Sequence, residues 1–391
     1  MKAFVRHALL ALAVTVVCQA GLALAKDYSR LSGEGEAAIA AEDQKDAAAA
    51  PSPSVEDSKC AGQCSGNSGC DCSVCSAAQS CCPVWFIDYR MRGMFNSNTR
   101  YEFGTAPQLP GPQYAPLSRL DFSLDSMWHG LQIGVEKPNW GAHFEWLMPM
   151  QRNIGGDMLD YDWNIWDPRN DPTRLDSLTR SSERWNDGQM LELEAEFKLT
   201  ECFFTLPLEV WPLAGFRFQR FNITAYNLDY VVPPLGPLPQ YDGIDMISFN
   251  QQYYIGYIGG QLRGTLQVGC LPIDVRFQGD WGPASGYNVD HHLDYENYAL
   301  GPVHRYTMES TRGDATHLSL IAEAPLNCRW SLGLQADHMA IRTTGTHRWV
   351  MSGPGTVAPG TEYPPADQSW DNGVSVKSDQ SSFTMFLRAR F

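Results

Sequence analysis

The chain has 391 residues, of which 43% are hydrophobic, 12% aromatic and 19% charged, and its formal net charge is −15. Such an acidic chain has no basic stripe to neutralise phosphates, which argues against nucleic acid as a partner. The low charged fraction argues against a coiled coil or a highly charged disordered protein. The 34 Gly, 25 Pro, 12 Trp, 16 Tyr and 17 Phe suit an all-β chain with many turns.

Residues 1–25 are typical of a secretory signal peptide. A basic start with Lys2 and Arg6 precedes an apolar run over residues 8–17, and Ala23-Leu24-Ala25 offers small residues for cleavage. A membrane anchor is the alternative, but the run is short and no stop-transfer pattern follows it. Cys18 raises a lipoprotein alternative, although the two valines before it make a poor lipobox. We therefore expect an exported protein.

Residues 26–59 have the Ala-rich and Pro-Ser-rich composition of a low-complexity linker. Seven cysteines follow within residues 60–82, which indicates a small disulfide-rich module in an oxidising compartment. A zinc site through Cys72 and Cys75 is the alternative, but it lacks a second pair of ligands at suitable spacing. Because seven is an odd number, at least one thiol must pair elsewhere, and a disulfide-linked envelope partner is one expectation.

From residue 83 to residue 391 the apolar residues recur with a period of two, which is the period of a β-strand. In the final stretch Phe383, Met385 and Leu387 fall on one face, with polar residues between them. This spacing, ending on Phe391, is typical of a strand that turns apolar side chains to lipid and polar ones to a lumen. No stretch reaches the ~18 consecutive apolar residues of a membrane-spanning helix.

Two kinds of connection alternate along this region. Short turns fall at 137–139, 200–202, 269–272 and 325–328, and long polar connections near 104–116, 158–188, 228–245, 288–305 and 347–372. This alternation predicts a closed antiparallel transmembrane β-barrel of about ten strands, with short turns on the periplasmic side. A soluble β-sandwich is the alternative. Cys202, Cys270 and Cys328 fall in the short turns, where they could pair with one another or with the cysteine-rich module.

The first cluster that could carry chemistry is the pair Asp160 and Asp162. Residues two apart on an extended backbone share one face, so the two carboxylates should lie together. Like charges repel, which should raise one pKa and let one member act as a base or share a proton. Taken alone, such a pair is more typical of a solvated turn or of calcium ligands.

The second cluster is Asp290 and His292, which also share a face. A carboxylate beside an imidazole can fix its tautomer and support a general base. A loop histidine, or a metal-binding pair of His291 and His292, is the alternative. In a ten-strand barrel the connections after strands three and seven lie across the mouth from each other. Two carboxylates facing an Asp–His dyad there could activate a water for attack on an amide.

At these residues the sequence resembles the omptin family of outer-membrane proteases. The motif Gly155-Gly156-x-Met158-x-Asp160-x-Asp162-Trp163 resembles the family's second-loop motif, and Asp290-x-His292 resembles its fourth-loop dyad. Residues 253–259, Tyr-Tyr-Ile-Gly-Tyr-Ile-Gly, and the last strand resemble the corresponding omptin strands, so that the resemblance spans residues 84–391.

The resemblance implies a narrow ten-stranded barrel in the bacterial outer membrane, with an aspartic-type endopeptidase site facing the exterior. A water held between Asp160 and His292 would be the nucleophile. Asp290 would orient His292, and Asp162 would complete the carboxylate pair.

The resemblance also implies a substrate pocket for basic residues and a lipid site. Asn288 stands where omptins have an acid, Glu102 only approximately matches the first-loop acid, and Glu183 could supply charge if it reaches the cleft. With one acid fewer, we expect a weaker preference for paired basic residues. Arg220 matches one lipopolysaccharide-binding residue, whereas Gln252 replaces another.

The sequence therefore predicts an outer-membrane endopeptidase that acts on proteins or peptides. We expect neither a cofactor nor a metal, apart from a dependence on outer-membrane lipid. A non-catalytic barrel, either a porin-like channel or an adhesin, is the main alternative. A crosslinked structural protein of the envelope is a third, which rests on the cysteine-rich module alone.

Overall fold

The computed structural model describes residues 83–104, 116–163, 174–200, 208–232, 236–237, 242–269, 271–293, 304–352, 355–358, 361–363 and 366–391. The expectations for the signal peptide, the linker and the cysteine-rich module fall outside these residues, as do Cys202 and Cys270. Cys328 is disulfide-bonded, and its partner lies outside the described residues as well. Within the described ranges, no helix has the length and apolar composition needed to cross a membrane.

The described residues between Pro83 and Phe391 belong to one compact unit built from strands. In chain order these are β1 Val84–Met94, β2 Asn98–Phe103, β3 Ser118–Ser123, β4 Met127–Lys137, β5 Trp140–Pro149, β6 Asn153–Trp163, β7 Leu175–Phe197, β8 Glu209–Val232, β9 Gly236–Pro237, β10 Asp245–Val268, β11 Leu271–His292, β12 His304–Pro325, β13 Trp330–Ser352, β14 Gly355–Ala358, β15 Thr361–Tyr363 and β16 Ala366–Arg390.

Ten antiparallel strand paths close into a ring. The first three paths are interrupted, so that β1 continues into β2, β3 into β4 and β5 into β6, while β7, β8, β10, β11, β12, β13 and β16 are continuous. The last path pairs with the first along both of its segments, with Leu387 opposite Tyr89 and Val376 opposite Tyr101. Closure pairs the backbone groups that a bilayer cannot satisfy. The predicted ten-stranded barrel is confirmed, and the β-sandwich is excluded.

An apolar belt surrounds the end of the barrel that carries the short turns. In β16 Phe383, Met385 and Leu387 are exposed on the outside, whereas Thr384 and Arg388 are buried in the lumen. The predicted apolar-out, polar-in alternation is therefore confirmed. Other large outward side chains of the belt are Trp85, Ile87, Tyr89, Leu131, Ile133, Phe144, Trp146, Leu193, Phe277, Trp281, Leu318, Leu320, Leu332 and Leu334.

Four of the five long connections are shorter than the sequence predicted, the exception being the one near 104–116. The segment 158–188, predicted as one polar connection, contains the end of β6 and half of β7, and β11 likewise runs on to His292. Above the belt the outward residues are polar because they face water rather than lipid. The hydrophobic alternation that reveals a strand is therefore lost there, although the strands continue.

The lumen is filled by two layers of side chains. Level with the belt lies a charged layer, in which Arg217 contacts Asp280 at 2.6 Å and His317 contacts the same carboxylate at 2.9 Å. Above it lies an aromatic layer, in which Trp128 packs edge-on against Trp185 with ring centroids 5.2 Å apart. Two cavities of about 50 Å³ each remain in and beside the charged layer, which is room for a few waters rather than for a pore.

The belt predicts a strong position dependence for introduced charge. Leu334→Arg should destabilise the folded barrel by about 2–4 kcal/mol, because a cation placed in the hydrocarbon region loses its hydration. Thr344→Arg is the matched control, since Thr344 is exposed on the outward side of the same strand but above the belt. Equilibrium unfolding in lipid vesicles measures both. Equal effects of the two substitutions would contradict the placement of the belt.

Candidate active site

Four predicted residues meet at the end of the barrel opposite the short turns. Asp160 and Asp162 lie on β6, and Asp290 and His292 lie at the end of β11. All four line one cavity of about 190 Å³. They project from strands rather than from loops, so their directions are set by the ladder of the barrel. We call this space the catalytic cavity, after the role that we propose for it below.

A bulge before the carboxylate pair aims it into the barrel. The pairing of β6 with β7 shifts register between Asn153 and Asp157. Gly156 lies within this shift at φ 106°, and a Cβ there would come within 2.8 Å of the Ser123 hydroxyl. The neighbouring Gly155 donates its backbone N–H to the carbonyl of Asp125 at 2.6 Å. The two glycines thus let β6 pass close to the end of β3, and the alternation that follows turns both carboxylates inward.

The dyad is a direct contact between Asp290 and His292. The imidazole Nε2 lies 3.1 Å from Asp290 Oδ2, and the Asp290 side chain is only 2% exposed. A buried carboxylate is costly without a partner, so this contact fixes the orientation of the ring.

The carboxylate pair faces positive charge across the cavity. Burial raises the pKa of Asp162, while a hydrogen bond from Ser118 and the charges of Arg305 and His292 act in the opposite direction. The Ser118 hydroxyl also lies 3.5 Å from Asp160 Oδ1. Because it has one proton, it can donate to only one of the two carboxylates at a time. Repulsion between Asp160 and Asp162 is the predicted cause of a raised pKa, but burial is the largest cause for Asp162, and the carboxylate that adds to it is Asp176.

Sequence reasoning missed Ser118 and Arg305. Ser118 lies opposite Asp162 in the β3–β6 pairing, and Arg305 lies opposite His292 in the β11–β12 pairing. Neither belongs to a motif. The register between strands brings them to the cavity, and the order of residues along the chain does not reveal that register.

The structure does not bring Glu102 or Glu183 into the catalytic cavity. Glu102 lies on the outer wall, where it contacts Arg119 at 2.7 Å and Lys377 at 3.6 Å. Glu183 is buried within β7 and accepts the backbone N–H of Ser123 at 3.1 Å. Burial raises the pKa of Glu183 well above its usual value. Glu183 therefore closes the wall beside the bulge rather than supplying a charge to substrate.

Asn288 lies one inward position below Asp290 and is fully buried. It pairs across the ladder with Glu309, whose Oε1 accepts from the Tyr101 hydroxyl at 2.6 Å and lies 3.1 Å from His347 Nδ1. Within the described residues, neither polar atom of the Asn288 amide has a hydrogen-bond partner. Beneath the dyad there is thus a buried polar cluster of Asn288, Glu309, His347 and Tyr101, for which the sequence offered no motif.

Arg220 lies on the outer wall of β8, opposite Gln252 of β10 and 3.3 Å from Asp187. That position is just above the apolar belt, and its contact with lipid stays a prediction. Among the described residues, no group of three or more His, Cys, Asp and Glu side chains is arranged to hold a metal ion.

No family model and no curated protein matches the chain. The outer-membrane protease OmpT from Escherichia coli has a similar structure, with a TM-score of 0.59 and 15% sequence identity over 79% of this chain and 97% of that one. The translocator domain of the autotransporter NalP from Neisseria meningitidis gives a TM-score of 0.31 at 10% identity over 78% of this chain and 88% of that one, which is too low to indicate a shared arrangement. The predicted resemblance to omptins is therefore confirmed for the fold, and this chain has the fold of an outer-membrane β-barrel.

Proposed function

We propose that the chain is an endopeptidase of omptin type in the bacterial outer membrane, with its site facing the exterior. The observation that carries the proposal is the convergence of Asp160, Asp162, Asp290 and His292 on one cavity. The filled lumen favours this function over a porin-like channel. The short turns, the start of β1 and the end of β16 all lie at the opposite end of the barrel. Since short turns face the periplasm in such barrels, the cavity opens to the cell exterior.

The proposed reaction is attack by a water on a peptide carbonyl. The cavity of about 190 Å³ has room for a water together with part of a peptide backbone. His292 holds its Nε2 against Asp290, so the proton from the water goes to Nδ1 while the oxygen bonds to the carbonyl carbon. Asp290 stabilises the imidazolium that forms. The proton is then passed to the amide nitrogen as the carbon–nitrogen bond breaks, which releases a carboxylic acid and an amine.

The carboxylate pair positions the same water from the other wall. Asp160 accepts a hydrogen bond from it, and Asp162 completes the pair while accepting the hydrogen bond of the Ser118 hydroxyl. The substrates of this proposal are extracellular proteins or peptides, and Arg220 would mediate any dependence on outer-membrane lipid.

Substitution of the carboxylate pair or of the dyad, on either side of the cavity, should strongly lower turnover. Asp160→Asn and His292→Ala should each lower kcat by about 10²–10⁴-fold, because each removes a positioned group from the proton transfer. Cleavage of a quenched-fluorescent peptide library by the refolded protein in detergent measures this. Asp379→Asn is the matched control, since Asp379 pairs with Arg342 on the outer wall.

Full activity of both variants would refute the assigned roles. Ion conduction in planar bilayers that is unaffected by Asp160→Asn, without any cleavage, would favour the channel. Binding to host or neighbouring cells without either property would favour the adhesin.

The pH dependence of kcat/KM should reflect the ionisation of the pair Asp160 and Asp162. Activity requires the ionised pair, and the Ser118 hydroxyl stabilises that form by lowering the pKa of Asp162. Ser118→Ala should therefore raise this pKa further and move the acid limb of kcat/KM to higher pH. Ser248→Ala, on the outward face of β10 at the same rim, should leave the limb in place. An acid limb that stays or moves to lower pH in Ser118→Ala would contradict the assignment.

A further inference from the structure

A second cavity of about 250 Å³ lies beside the catalytic cavity. We call it the aromatic pocket. Its walls are formed by Phe103 of β2, Leu117, His347 and Trp349 of β13, and Trp370 of β16. All of these residues lie within the described part of the chain.

The walls of the aromatic pocket are held in place by ring stacking. The His347 imidazole stacks on Phe103 with centroids 4.8 Å apart and planes at 10°, and on Trp370 at 5.5 Å and 21°. Its Nδ1 contacts Glu309 Oε1 at 3.1 Å. Because one ring is fixed by both stacking and this buried contact, the flat faces of the pocket are preformed.

The aromatic pocket is continuous with the catalytic cavity. Phe103 and Arg305 line both spaces. Thr307, which also lines the pocket, is the residue opposite Asp290 in the β11–β12 pairing. A peptide held over the dyad would therefore place a neighbouring side chain at the entrance of the pocket.

The charges around the aromatic pocket disfavour a basic side chain. The described residues that line it include no carboxylate, and the Arg305 guanidinium lies 5.6 Å from the Trp349 ring. Glu309, which contacts the His347 wall, is buried behind it and engaged by Tyr101 and His347. A substrate Lys or Arg would thus meet a like charge and leave its own cation unpaired, which is costly in a desolvated site.

The geometry points to the aromatic pocket as the specificity subsite of this enzyme, which takes a large apolar side chain, above all an aromatic one, next to the bond that is cut. This inference rests on the proposed peptidase function and names its substrate class. The volume suits the assignment, since a cavity of roughly 150 Å³ already binds benzene.

The test compares three peptides that differ at one position, carrying Phe, Ala or Arg in an otherwise identical Gly-, Ser- and Gln-rich sequence. Burial of the phenyl ring should give the Phe peptide a kcat/KM about 10- to 100-fold above that of the Ala peptide. The Arg peptide should not exceed the Ala peptide. In the variants Trp349→Ala and Trp370→Ala, the kcat/KM of the Phe peptide relative to that of the Ala peptide should fall about tenfold.

The matched control is Trp163→Ala. Trp163 lies at the same rim but on the outer wall, stacked on Tyr161 with centroids 5.7 Å apart, and its loss should leave the Phe to Ala ratio unchanged. Efficient cleavage beside Arg without a gain for Phe would overturn the inference while the peptidase function stands. A preference for Phe that survives both pocket substitutions would overturn it as well.

A binding measurement on an inactive variant tests the subsite independently of peptide cleavage. Calorimetric titration of Asp160→Asn protein in detergent should give the Phe peptide a Kd about tenfold below that of the Ala peptide, and Trp370→Ala in the same background should remove the difference. If the wild-type protein cuts none of the peptides but this difference is found, the peptidase function falls and the pocket stands as a binding site. Equal Kd values for the Phe and Ala peptides would overturn the pocket.

Discussion

The pairing of the last strand with the first is the constraint on which the rest of the structure depends. A bilayer offers no hydrogen bonds, so every backbone group within it must be satisfied by a neighbouring strand. Closure between β16 and β1 meets this requirement, and it also fixes two faces for every strand. Once the ring is closed, each side chain points either to lipid or water outside, or to the lumen.

Closure places polar side chains in the lumen, where they must form hydrogen bonds and ion pairs with one another. Arg388 contacts Asp88 at 2.8 Å, and both side chains are almost fully buried. The same holds for Arg217, Asp280 and His317. A buried charge is tolerated only with a partner, so the lower lumen becomes a rigid, charge-balanced floor. The aromatic layer rests on that floor and separates it from the catalytic cavity above.

Alternation along a strand could be read from the sequence, and it predicted that Asp160 shares a face with Asp162 and Asp290 with His292. In the structure both faces turn into the cavity. The same rule shows why Glu102 does not reach the cavity, since its neighbour Tyr101 faces inward. Pairing between strands could not be read in this way. Ser118, Arg305 and His347 reach their places through register, which is set by turns and bulges whose geometry the residue order does not specify.

The interrupted strands give the two walls of the cleft different mechanical character. The carboxylate pair stands on the 11-residue β6, which pairs with the six-residue β3 on one side and with the 23-residue β7 on the other. The dyad stands on the 22-residue β11, which pairs with β10 and β12, of 24 and 22 residues. Short ladders open locally at lower free energy than long ones. The wall that carries the imidazole is therefore more rigid than the wall that carries the carboxylates. Amide protons of β3 should therefore exchange with solvent before those of β11, and a change in the width of the cleft should come mainly from the side of β3.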